Sequence, residues 1–119
     1  MNESALKTKS RLFAKNIVVL CRKMKSERTE AALVNQLLRS GTSVGANIHE
    51  AQYAQGTKDF ISKFEIALKE CNESEYWLEL LFETDNISKE DYDKYRKDCI
   101  ELRRMLVASV TTLKSRDGI

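Results

Sequence analysis

Few residues in this chain of 119 are of types that do covalent chemistry. His49 is the only histidine, so a His–Cys or His–carboxylate metal cluster has little to build on. The cysteines Cys21, Cys71 and Cys99 are odd in number, lack CxxC spacing and fall at apolar positions. A thiolate is disfavoured there, so they read as reduced, buried thiols rather than as half of a Cys–His nucleophile pair. Glu70, Glu73 and Glu79 would suit a di-metal carboxylate site only beside a Glu-x-x-His motif, which is missing. They read as solvated or interfacial charges. The run Ser40 to Asn47 holds two of the four glycines, but no lysine follows them as in a phosphate-binding loop. His49, off the apolar stripe and near Tyr53, reads as a surface residue. No catalytic residue, metal ligand or cofactor is expected.

The chemistry that the spacing does carry is electrostatic. Lys7, Arg11, Lys15, Arg22 and Lys25 gather on one side of a first helix, opposite Leu6, Phe13, Ile17, Leu20 and Met24. Arg96, Lys97, Arg103 and Arg104 repeat at a seven-residue interval along the outer side of a fourth helix. Cations at such spacing can follow a phosphate backbone or an acidic partner. An ordinary solvated helix face has the same pattern. The net charge of +2 hides an uneven distribution: +6 over residues 1–28, −1 over 29–56, −5 over 57–86 and +2 over 87–119. A basic first helix and an acidic third can attract each other within one bundle or between subunits.

The elements that position these residues are long helices. The chain has no proline and only four glycines, and Lys, Glu, Leu and Ala dominate. Periodicity and end signals predict helices at about 4–24, 30–55, 57–84 and 88–115. Thr29 would cap the second helix, Gly56 would end it, and Thr57 would cap the third. Ser88 with Asp91 forms a capping-box-like start to the fourth. Short connections between long helices give an all-α, antiparallel up-down-up-down four-helix bundle in one domain, residues 1–119. The longest apolar run, Ile17 to Cys21, is too short to span a membrane, and no signal peptide is evident. The expected location is the cytoplasm.

Two features point to close contacts. Leu33, Leu37, Gly41, Val44 and Ile48 step by three and four residues, which puts two weak helix formers on the apolar stripe. Either another backbone approaches closely there or the stretch is a loop dividing two helices. In an antiparallel hairpin with the third helix, Gly45 would meet Ala67 and Gly41 would meet Cys71. On the third helix, Phe60, Phe64, Ala67, Leu68, Cys71, Leu78 and Phe82 make one apolar face, and Ile66, Trp77 and Leu80 make another. Leu12 and Val19 form a smaller patch off the core direction of the first helix. These second faces suit a contact with another subunit, unless Trp77 folds down onto a neighbouring helix.

The stretch from Leu37 through Ser40-Gly41-Thr42-Ser43-Val44-Gly45-Ala46-Asn47-Ile48 to Glu50-Ala51 resembles the signature of the bacterial four helix bundle protein family. That family was first noticed as proteins encoded in intervening sequences of 23S rRNA genes. A second block agrees with it: Phe60 to Lys63, Ala67 to Glu70, Asn72-Glu73 and Glu75 to Leu81. The resemblance implies an antiparallel bundle that assembles into a ring, typically a homopentamer. The family also includes accessory variability proteins of diversity-generating retroelements, which bind a reverse transcriptase and nucleic acid through basic surfaces. Those relatives are strongly basic throughout, and the net charge of +2 departs from that. The resulting expectation is a non-enzymatic ring, a scaffold or accessory factor for RNA or a nucleic-acid enzyme. The alternative is a protein–protein assembly module without nucleic-acid affinity.

Overall fold

The computed structural model describes residues 3–118. They form four helices: α1 (Glu3–Ser26), α2 (Ala31–Ala51), α3 (Thr57–Glu83) and α4 (Lys89–Asp117). At 1.5 Å per residue these are rods of roughly 30–44 Å, and the whole measures 48 × 22 × 20 Å. Each helix touches its chain neighbour, α1 touches α4 more thinly, and among the described residues the backbones of the diagonal pairs α1–α3 and α2–α4 do not come within 8 Å, Cα to Cα. This is an antiparallel four-helix bundle.

The core follows the predicted stripes. Leu6, Phe13, Ile17, Leu20 and Met24 of α1 are buried, as are Leu37, Val44 and Ile48 of α2 and Cys99, Leu102 and Leu106 of α4. Ile61, Ser74 and Leu81 join the buried face of α3, which is wider than the predicted stripe. Phe60, Leu68 and Phe82 pack only half-buried at its margins.

The turns differ from expectation in informative ways. Thr29 does not cap α2; the flanking residue is Glu30, with no side-chain bond to the helix. Thr29 is instead buried, and its hydroxyl donates to Asn86 Oδ1 at 3.2 Å, which ties the α1–α2 turn to the α3–α4 turn. α2 stops at Ala51 rather than near Gln55, and Gly56 serves the next helix as its N-terminal flank with φ 152°. Only glycine adopts that backbone readily. α1 and α3 both end in Schellman turns built on non-glycine residues. Arg28 (φ 64°) and Asp85 (φ 61°) take the left-handed position. Thr29 N donates to the Met24 carbonyl, and Asn86 N to that of Leu81, so the orphan carbonyls are satisfied. Ser88 caps α4 as expected, with Oγ accepting from Asp91 N at 3.1 Å.

The glycine run lies within a continuous helix, but its glycines face α1 and not α3. A Cβ on Gly41 would fall 2.8 Å from Ile17 Cγ2, and one on Gly45 would fall 3.2 Å from the Ser10 carbonyl oxygen. The α2–α3 hairpin has the expected register, but serines occupy its tight point. The buried Ser74 hydroxyl donates to Ser40 Oγ at 3.0 Å. Ala67 and Cys71 are fully buried, but the atoms nearest a Cβ on either glycine belong to α1. The reason is angular: Ser40 and Gly41 are neighbours about 100° apart on the helix, so one turns to α3 and the other to α1.

Candidate nucleic-acid interface

Four of the cations singled out from sequence line the outer side of α1. Lys7, Arg11, Lys15 and Arg22 are all exposed. Lys7 Nζ reaches Gln52 Oε1 at 3.4 Å, a neutral partner. Among the described residues no ion pair engages Arg11, Lys15 or Arg22. Their charges are therefore not held in ion pairs within the bundle. Lys9 and Lys23 of the same helix sit on the α4 side and pair with Glu101 and Asp91.

The α4 set divides. Arg103 Nη1 lies 2.7 Å from Glu75 Oε1, and Arg96 Nε lies 3.5 Å from Glu75 Oε2. Arg103 also donates to Asn72 Oδ1 at 3.2 Å. The hydrogen bond to Glu75 raises the Arg103 pKa above its usual value, so this guanidinium is a clamp on α3. Lys97 and Arg104 remain exposed on the outer side. The predicted outer stripe of four is thus two outward cations and two inter-helix clamps. The seven-residue interval relates 96 to 103 and 97 to 104, but each adjacent pair straddles the edge of the helix.

The acids of α3 are similarly used inside the bundle. Glu65 pairs with Lys114 at 3.0 Å, and Arg39 of α2 bridges Glu70 and Glu73. A hydrogen bond from Trp77 Nε1, followed by that from Arg39, holds the Glu73 carboxyl below the usual carboxylate range. Half of the eight acids in residues 57–86, Glu65, Glu70, Glu73 and Glu75, are thus paired through α2–α3 and α3–α4 contacts.

The second apolar faces are placed as follows. Leu12 and Val19 are 56% and 62% exposed, so α1 carries an uncovered apolar pair beside its cations. On α3, Ile66 is 39% exposed, while Trp77 and Leu80 are half-buried. Trp77 packs against the core and edge-on to Tyr76, centroids 4.9 Å apart, so much of its cover comes from its own bundle. Because α1 and α3 are diagonal, these two patches are not brought together. Tyr76 and Val107 are further exposed apolar residues that periodicity did not single out.

The three cysteine thiols are not shifted alike: a hydrogen bond with Cys99 lowers the Cys71 pKa against the opposing effect of burial. Burial pushes the Cys21 thiol up to about 11, and a hydrogen bond with Cys71, then burial, raises Cys99 further. All three cysteines are free and buried. Among the described residues no group of three or more His, Cys, Asp or Glu side chains is arranged to hold a metal ion. No described helix is long and apolar enough to cross a membrane.

The comparisons agree with this bundle. The family model for the 23S rRNA-intervening sequence protein matches residues 2–108. The chain belongs to that family. It is also similar to a solved protein of unknown function from the S23 ribosomal protein family of Bacteroides thetaiotaomicron VPI-5482, with 46% identity and a TM-score of 0.90. The match covers 93% of this chain and 99% of that one. No curated protein matches. Membership of the 23S rRNA-intervening sequence protein family agrees with the four-helix fold.

Proposed function

We propose that this family member is a non-enzymatic, cytoplasmic, ring-forming scaffold that binds RNA, or an enzyme working on nucleic acid such as a reverse transcriptase, through the outer face of α1. The observation that carries the reading is the row Lys7, Arg11, Lys15 and Arg22, which forms no ion pair among the described residues. Elsewhere, as at Arg39, Arg96 and Arg103, cations are matched with acids. An array of unmatched cations gains from releasing counterions at a polyphosphate. Two different apolar patches on diagonal helices suit a head-to-tail contact, the α1 patch of one subunit against the α3 patch of the next. Contacts of that kind close into rings, and a pentamer is the ring the family resemblance favours.

The test is light-scattering mass on a sizing column together with RNA binding at about 50 mM salt. A mass near five subunits with steeply salt-dependent RNA binding is expected. Arg11→Glu with Arg22→Glu should abolish binding and leave the helical signal unchanged. Arg96→Ala with Arg103→Ala should instead lower stability and leave most of the affinity. A ring indifferent to RNA would favour the second reading, a protein–protein assembly module, which rests on the exposure of Leu12 and Val19. A basic α1 docking onto the acidic α3 of a neighbour supports that module only weakly, because Glu65, Glu70, Glu73 and Glu75 already have cationic partners.

A further inference from the structure

Where α1 leans on the glycine run, a groove of about 490 Å³ opens between α1 and α2. Lys7 and Arg11 stand on one wall, and Thr42, Ala46, His49 and Glu50 on the other. Ser10 and Gly45 also line it, and a Cβ on Gly45 would fall 3.2 Å from the Ser10 carbonyl oxygen. Beyond one end, the exposed His49 and Tyr53 rings lie 5.6 Å apart, tilted by 59°. Tyr53 is 74% exposed. Lys7 Nζ, bonded to Gln52 at 3.4 Å, sits at that same end.

We infer that this groove and its aromatic end form a subsite for single-stranded RNA, with one unstacked base on the Tyr53–His49 pair and the adjoining phosphate between Lys7 and Arg11. The inference rests on the RNA-binding reading above and names where on the α1 face it happens. Cations alone would serve duplex and single strand alike; an exposed aromatic ring beside them serves only a base whose face is free. Glu50 makes the groove a poor site for a bare phosphate ion, since one of its three charged side chains is acidic. A nucleotide tolerates that carboxylate better, because an exocyclic amine of the base can donate to it. Tyr53 lies in the α2–α3 turn, its N donating to the Glu50 carbonyl at 3.0 Å, and its side chain is exposed for a ligand.

The experiment is fluorescence polarisation at about 50 mM salt with a labelled ten-nucleotide RNA, single-stranded and as a duplex. Tyr53→Ala should weaken single-strand binding roughly 5- to 150-fold, the range that one base–aromatic stack supplies. Tyr53→Phe should stay within about twofold, and duplex binding should change little in either variant. Arg11→Glu should weaken both RNAs. Single-strand binding that is lost with Arg11→Glu but unmoved by Tyr53→Ala would overturn the subsite and leave the RNA-binding reading standing. No binding of either RNA by the unmodified protein would overturn both. A Tyr53→Ala protein of lower mass on the sizing column would assign the ring to a subunit contact and also overturn the subsite.

Discussion

The sharpest consequence of the fold is that Gly41 is tight against Ile17. Replacing a helical glycine by alanine ordinarily gains about 1 kcal/mol of helix propensity. At Gly41 the new Cβ would lie 2.8 Å from Ile17 Cγ2 and 3.0 Å from Cγ1, on a side chain that is fully buried. Forcing a methyl into such a core costs about 1–3 kcal/mol, so Gly41→Ala should destabilise by about 1 kcal/mol net. Ile17→Ala removes both clashing carbons and by itself costs about 2–5 kcal/mol through the cavity it leaves. In that background, of the three nearest contacts only the one at 3.3 Å with the Cβ of residue 17 remains, and the alanine at 41 should recover most of its propensity gain. The two substitutions should therefore couple by about 2 kcal/mol in a double-mutant cycle. Urea unfolding followed by the helical signal, at one fixed subunit concentration, measures each corner. A parallel cycle of Gly41→Ala with Cys71→Ala should show coupling below about 0.5 kcal/mol. Additivity at Ile17, or strong coupling at Cys71, would refute the assignment of this glycine to the α1 crossing.

Two further outcomes test the turns and the thin α1–α4 seam. Arg28 holds a left-handed φ of 64°, which costs a side-chain-bearing residue about 1 kcal/mol; Arg28→Gly should raise the urea midpoint by a corresponding amount with an unchanged slope. Tyr95 OH donates to the Asn16 carbonyl at 2.9 Å across the seam, and burial pushes its pKa up to about 12 from an ordinary 10. A folded pKa above the unfolded one means full stabilisation below pH 10 and progressive loss as pH climbs to 12. That loss amounts to about 2 kcal/mol. Tyr95→Phe should be weaker by about 1 kcal/mol at neutral pH yet lose less between pH 10 and 12, and parallel alkaline profiles would show that this hydroxyl carries no such linkage.

The sequence by itself determined the number of helices, most of their ends and most of the core. Those features are local: no proline interrupts the chain, and apolar residues three and four apart define a buried line on each helix. The Ser88 cap was legible for the same reason, since a cap and its amide are three residues apart. The exposure of Leu12, Val19, His49 and the α1 cations was legible too, as positions off that line. What a stripe does not encode is which neighbour it meets. The same periodicity allowed Gly41 to face α3 or α1, and only the packed bundle turned it to Ile17 and left the α3 crossing to Ser40 and Ser74. Whether a cation is a ligand-binding group or a clamp was likewise decided by distance in space. Glu75 is 21 and 28 residues from Arg96 and Arg103 in the chain, yet α3–α4 packing makes it their shared counterion. The groove beside Tyr53 is tertiary in the same sense: Lys7 and Gln52 meet only because α1 and α2 run antiparallel, and no pattern within one helix records that meeting.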